Sequence, residues 1–171
     1  ANPGVVVTGN GITDSGSAFS ITGQSYIIIE GFTIADTAYK GIFVTNSHHI
    51  SILNNNIYNS GGHAYGYHQQ GIHFKTVVNS IIDGNISHDN SCVGILLSHG
   101  SNNNVISNNS SFSNYSDDPV IPGVTITDAA GIELRDSDSN LVIHNVVYGN
   151  EDSGINLYTS KDGPGSHNNM I

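Results

Sequence analysis

The sequence predicts an all-β fold: a single-stranded right-handed parallel β-helix, or solenoid, of about six coils, with residues 1–171 as one domain. Three observations predict it. A Gly-Ile pair opens a short alternating run five times, at Gly41, Gly71, Gly94, Gly131 and Gly154, at intervals of 30, 23, 37 and 23 residues. A second segment recurs upstream of each run: "GFTIAD" from Gly31, "NNIYNS" from Asn55, "NISHDN" from Asn85, "NSSFSN" from Asn109 and "NVVYGN" from Asn145. Finally, 22 Asn and 20 Gly occupy places that a helical protein gives to Ala, Leu, Glu and Lys. Short strands at fixed spacing bury no face alone, so successive coils must stack.

Taken in order, "VVVTGNGI" near Val5 starts a first, less regular coil. Each later coil takes about 23 residues, and the longer intervals hold insertions, Ser60 to Gln70 and Asn114 to Ala130. Alternation with period two makes the Gly-Ile runs strands. Ile42 and Val44, Ile72 and Phe74, Ile95 and Leu97, Ile132 and Leu134, and Ile155 and Leu157 then point inward. Asn55, Asn85, Asn109 and Asn145 fall at one bend, with Gly31 holding that place in the first coil. Both residue types tolerate positive φ, and stacked amides can hydrogen-bond along the column. "SHNNMI" at the end resembles the opening of another coil, as in "NNVIS" from Asn103. A bare solenoid end exposes strand edges, so the expectation is that further coils, a cap or another chain cover it and that this stretch belongs to a longer solenoid.

Composition excludes several functions. A formal charge of -10 argues against nucleic acid, which needs clustered Lys and Arg. No run approaches the length of apolar residues needed to span a membrane. The single Cys92 forms no internal disulfide framework. No signal peptide is visible, so Ala1 reads as the start of a mature form or of a cut segment. No zinc-enzyme ligand spacing is present.

The outward positions of the Gly-Ile strands form two columns: Phe43, His73, Leu96, Glu133, Asn156, and Thr45, Lys75, Ser98, Arg135, Tyr158. With coils about 4.8 Å apart, Lys75 and Arg135 lie roughly 10 Å from each other, as do His73 and Glu133. Lys40 and Lys161 flank the outer strands, so all four basic residues fall in or beside one sheet. They either line a groove for a carboxylate-bearing polymer or simply solubilise an exposed sheet. The first insertion adds His63, Tyr65, Tyr67 and His68 directly before His73 and Lys75. Loops that interrupt a repeat commonly build its binding face, since tyrosine rings stack on sugars and imidazoles exchange protons. A loop closed only by glycine and aromatic packing is the alternative. His88 takes a slot held by Ile34, Tyr58, Phe112 and Tyr148 elsewhere, either as a polar variant or as part of a site. In the second insertion Asp117 and Asp118 face Glu151 and Asp152 one coil later. Four such carboxylates form either a Ca²⁺ site or a solvated acidic turn, and Asp136 with Asp138 is a weaker candidate pair.

Elimination on a uronate polymer needs neutralisation of the carboxylate, a base for the C5 proton and an acid for the glycosidic oxygen. Lys75 or Arg135 suits the first role, and His73, His68 or Tyr67 the others, with Tyr65, His63, Glu133 and Tyr158 holding the chain. Returning the proton to the opposite face gives a C5-epimerase instead. A hydrolase would use a carboxylate pair, Asp117 with Asp118 or Glu133 with Asp83. A noncatalytic carbohydrate-binding or adhesive solenoid is the other alternative.

The segments "NNNIYNS", "GIHFK", "DGNISHDNSCVGILLSHG" and "IHNVVYGNEDSGINLYTS" resemble the right-handed parallel β-helix repeats of the pectate-lyase-like superfamily over about residues 25 to 171. "YGYHQQ" followed by "GNISHDN" is similar to mannuronan C5-epimerases, whose Tyr-Gly-x-Asp-Pro-His-Glu segment carries the catalytic groups. Tyr65 and Gly66 match its start, His68 stands where that motif has Asp, and the Pro-His-Glu portion is absent. Calcium-dependent pectate lyases of the superfamily use a lysine base, with which Lys75 is compatible in kind. The resemblance implies polysaccharide processing outside the cell or in the periplasm, with an acidic polysaccharide as substrate.

Overall fold

The computed structural model describes residues 4–9, 16–61, 69–116 and 128–171. Strand β1 (Val6–Thr8) precedes five complete three-strand turns. These are β2 (Phe19–Thr22), β3 (Ile28–Glu30) and β4 (Thr33–Ala35); β5 (Ile42–His48), β6 (Ser51–Leu53) and β7 (Asn56–Tyr58); β8 (Ile72–Val78), β9 (Ile81–Asp83) and β10 (Ile86–His88); β11 (Ile95–Ser98), β12 (Val105–Ser107) and β13 (Ser110–Phe112); and β14 (Ile132–Arg135), β15 (Leu141–Ile143) and β16 (Val146–Tyr148). Strand β17 (Ile155–Tyr158) follows, and a bridge from Met170 to Leu141 makes "SHNNMI" the beginning of another turn. The partial turns at either end account for the sixth coil expected from sequence.

Corresponding strands of each turn pair in parallel and make three sheets, ordered β1-β4-β7-β10-β13-β16, β17-β14-β11-β8-β5-β2 and β15-β12-β9-β6-β3. For brevity these are the first, second and third sheets. Their inner faces close on one aliphatic core. Ile29, Ile52, Ile82, Ile106 and Val142 stack in register from the third sheet, and Ile42, Ile72, Ile95 and Ile132 from the second. Isoleucine suits this column because its branched side chain packs against its own copy one coil away. Ile155 and Leu157 hold inward register but are exposed, because no described strand pairs with the far edge of β17.

The corners explain the asparagines, with one correction to the sequence alignment. Gly31 pairs not with Asn55 but with the residue before it. The left-handed places at this corner are Gly31, Asn54, Gly84, Asn108 and His144, with φ between 54° and 75°. The ladder residues come one position later, where Phe32 stands in the first coil. The Phe32 N–H donates to Asn55 Oδ1 (3.0 Å), the Asn55 N–H to Asn85 Oδ1 (3.0 Å), and the Asn85 N–H to Asn109 Oδ1 (2.9 Å). The same slip applies to the next strand, where Ala35, not Ile34, pairs with Tyr58. Two further ladders occupy the other corners, Asn90–Asn114–Asn150 and Asn104–Asn140–Asn169. Buried corner amides that secondary structure leaves unpaired are thus satisfied by side chains. The glycines of the Gly-Ile pairs serve the same packing. A Cβ at Gly94 would collide with Ser111 Oγ and stand 2.8 Å from the Gly131 carbonyl oxygen.

Candidate functional site

The second sheet carries the two outward columns in the register expected from sequence. Phe43, His73, Leu96, Glu133 and Asn156 are paired partners, as are Thr45, Lys75, Ser98, Arg135 and Tyr158. Their exposure is uneven. Lys75 and Tyr158 face solvent, whereas His73, Leu96, Ser98 and Glu133 are buried. Among the described residues, Cys92, Val93 and Ala130 cluster with Leu96, so the connections from the first sheet lie over this face.

Charge on the face is organised in two groups. Around β14, Arg135 Nε lies 2.7 Å from Glu133 Oε1, and Arg135 Nη2 lies 2.9 Å from Asp128 Oδ2. The guanidinium carbon also stands 4.9 Å from the Tyr158 ring centre. Glu133 has no solvent exposure, and burial, reinforced by the Asp128 charge and opposed by Arg135, pushes its pKa up to about 7. Arg135 is therefore occupied within the protein, and Glu133 presents no surface to a ligand. Of the expected site residues that are described, Lys75 and Tyr158 are exposed, Arg135 is half-buried, and His73 and Glu133 are buried.

Around β5 and β8, His73 Nε2 lies 2.8 Å from Ser98 Oγ, and its ring sits 5.2 Å from Phe43. Lys40 is buried with Nζ 3.2 Å from the Tyr39 ring centre and 5.0 Å from that of Phe43. Burial, with the Lys75 charge adding to it and Cys92 opposing it, brings the Lys40 pKa down to about 7. Burial and the negative charge of Asp128 push the Cys92 thiol up to about 11, so it is no thiolate nucleophile.

At the C-terminal ends of these strands a cavity of about 460 Å³ is lined by His99, Asp136, Ser160, Lys161 and the turn through Pro164. Burial and the neighbouring Lys75 charge lower the His99 pKa. Asp136 is not a free metal ligand. It accepts hydrogen bonds from the Ser160 hydroxyl and from the backbone N–H groups of Ser160 and Gly165, which hold its pKa down. Asp138 accepts from the His167 N–H at 2.6 Å, so both aspartates fasten the C-terminal loop.

His63, Tyr65, Tyr67, His68, Asp117 and Asp118 lie outside the described residues. Glu151 and Asp152 are exposed, and Glu151 Oε2 accepts from the Ser116 N–H at 2.6 Å. Among the described residues no three His, Cys, Asp or Glu side chains converge on a metal position. Asp83 belongs to the third sheet and accepts from Ser107 Oγ (2.6 Å) and Asn108 Nδ2 (2.8 Å), so it does not face Glu133. His88 stacks between Tyr58 and Phe112 at 5.2 and 4.9 Å on the first sheet, with Nδ1 2.5 Å from Asp89. Its ring faces are covered, which fits a structural aromatic column. Sequence reasoning assigned no role to Asp128, Cys92 or His99, and took Lys40 only as a flanking cation.

Among solved structures, the chain is similar to a mutant of the periplasmic alginate epimerase AlgG, with 20% identity, a TM-score of 0.55, and coverage of 86% of this chain but 37% of that one. The unmutated AlgG structure gives 20% identity and a TM-score of 0.48 over 84% of this chain and 33% of that one. This chain thus spans about a third of the length of those it matches. No curated protein matches it. No helix is long and apolar enough to cross a membrane among the described residues. The family described as "Right handed beta helix region" matches residues 2–127, which fixes the handedness of the coil: the chain belongs to the right-handed β-helix family.

Proposed function

We propose that this chain acts on a uronate-containing polysaccharide along the outer face of the second sheet, as a C5-epimerase of the periplasm or extracellular space. The observation that carries the reading is the exposed Lys75 on the same outer face as His73, in a chain with formal charge -10. Lys161 and His99 extend the same face through the adjoining cavity. The similarity to a periplasmic alginate epimerase supports epimerisation over elimination. In this reading Lys75, the exposed cation, pairs with the uronate carboxylate and lowers the energy of the carbanion formed at C5. His73, two residues earlier on the same face, accepts the C5 proton. Elimination begins with the same abstraction and differs in expelling the C4 oxygen.

Incubation with alginate, pectate and glycosaminoglycans in deuterated water tests the reading. Nuclear magnetic resonance reports deuterium at C5, and ultraviolet absorbance reports unsaturated products. Inverted, deuterated residues without absorbance are the expected result. Lys75→Ala is expected to lower turnover by about 100-fold or more, since a charge-stabilising group is typically worth that much. Binding without C5 exchange on every polymer would instead identify a noncatalytic module. Calcium is proposed as a cofactor only through Glu151, Asp152, Asp117 and Asp118; the same assay with and without a chelator decides it.

A further inference from the structure

The corner between the second and third sheets departs, in its first two places, from the residues that the later coils use. Each coil there puts one residue in the left-handed region, at φ between 53° and 59°: Tyr26, His49, Asn79, Asn103, Ser139 and Asn168. Asparagine adopts that conformation readily and histidine tolerates it, but a bulky tyrosine there is an outlier. Tyr26 is also 74% exposed, so burial does not offset its strain. Its ring stacks on His49 instead, with centres 4.9 Å and planes 26° apart, and meets the His48 ring edge-on at 6.0 Å.

His48 ends β5 and His49 follows it in the corner; both are exposed. Their ring centres lie 5.0 Å apart with planes at 83°, and the two Nδ1 atoms are 2.8 Å from each other. With both rings neutral, one Nδ1 carries the proton and donates to the other. Between rings that water reaches, such a bond gains little over the bonds each makes with solvent. Stability therefore accounts neither for the contact nor for the strained backbone that brings Tyr26 against it.

The same separation suits a metal ion. An ion about 2.0–2.1 Å from each of two nitrogens 2.8 Å apart subtends an angle of about 85–90°. A tetrahedral zinc ion needs those nitrogens about 3.3–3.4 Å apart. Right-angled positions belong to the tetragonal geometry of Cu²⁺ and Ni²⁺.

The geometry points to His48 and His49 as a two-imidazole chelate for a late divalent transition metal, Cu²⁺ first and Ni²⁺ next, with Tyr26 positioning the His49 ring. The metal takes the place of the shared proton. That proton moves to Nε2 of its own ring, so both Nδ1 lone pairs are free for the ion and no net proton is released. Water fills the remaining coordination positions. The site uses no residue of the proposed function and stands apart from it.

Titration of the full chain with Cu²⁺, Ni²⁺ and Zn²⁺, each alone, tests this, with calorimetry for affinity and electron paramagnetic resonance for the Cu²⁺ donors. The chain has nine histidines, so the variants decide the assignment. His48→Val and His49→Asn each install the residue of the next coil, Val78 and Asn79, and so keep the corner. Wild type is expected to take one tight equivalent of Cu²⁺ on two nitrogens. Each variant is expected to bind that equivalent about 100-fold more weakly, since the second imidazole no longer acts within the same molecule, and to show one nitrogen. Tyr26→Asn is expected to cost about 10-fold while both nitrogens stay bound. Equal affinities and spectra in wild type and both histidine variants put the ion on other histidines and overturn the site. Tighter Zn²⁺ than Ni²⁺ binding, lost in the histidine variants, overturns the right-angled geometry. Unchanged affinity in Tyr26→Asn overturns its positioning role.

Discussion

Asn85→Ala is expected to lower the unfolding free energy by about 3–5 kcal/mol, because several buried hydrogen bonds are lost together and each orphaned group costs about 1–3 kcal/mol. Asn85 is fully buried at a corner. Its Oδ1 accepts from the Asn55 N–H and Nδ2, both at 3.0 Å, and its Nδ2 points at the Ile52 carbonyl oxygen (2.8 Å), the Asp83 carbonyl oxygen (3.1 Å) and Asn109 Oδ1 (3.0 Å). Alanine removes the one acceptor that the Asn55 N–H has among the described residues. Asn145 makes the same pattern of bonds but is half-buried near the last turn, where water can substitute. Asn145→Ala is therefore expected to cost only about 1–2 kcal/mol. Urea midpoints of the two variants check this, and equal losses would show that the ladder is not what the corner depends on.

Period-two alternation made the outward columns of the second sheet legible, because a strand that buries Ile72 and Phe74 can only turn His73 and Lys75 outward. The first coil was misaligned by one residue for a local reason. Phe32 stands where later coils have Asn, so Gly31 offered a false match. The two further ladders were visible as letters, Asn90, Asn114 and Asn150 at 24 and 36 residues as in the first, and Asn104, Asn140 and Asn169 at 36 and 29. The Gly-Ile frame marks one bend per coil, so these asparagines carry no local sign of the corner they occupy. Burial on the outer face was not legible at all. It depends on where Val93, Cys92 and Ala130 lie across the sheet, and no periodicity governs those connections. Asp128 shares that origin, at the end of an insertion whose residues carry no repeat, so its approach to Arg135 follows from the fold alone.

Lys40→Met is expected to stabilise the protein at and below neutral pH, with the gain vanishing in alkali. The Lys40 amine is buried against Tyr39 and Phe43 and makes no hydrogen bond or ion pair among the described residues. Its pKa falls from 10.5 to about 7, so between those values the unfolded chain binds more protons than the folded one. Stability contributed by this site accordingly rises with pH from about 7 to about 10.5, and below about 7 the cost of burying the charge is present in full. At about 1.4 kcal/mol per pKa unit the linkage amounts to about 3–5 kcal/mol. Loss of the contact between the cation and the Tyr39 ring, worth about 0.5–2 kcal/mol, offsets part of it. A net gain of about 1–4 kcal/mol in mild acid follows from those two terms. Glu133 contributes the opposite slope, since its pKa is raised from 4.5 to about 7 and its stability contribution declines across that window as pH rises. That slope is common to both proteins, as are the charges of Lys75 and Cys92 that face the amine, so the difference between the two pH–stability curves isolates Lys40. A constant difference across pH would mean that the amine keeps its ordinary basicity in the folded chain, and that the buried face of the second sheet admits enough water to solvate it.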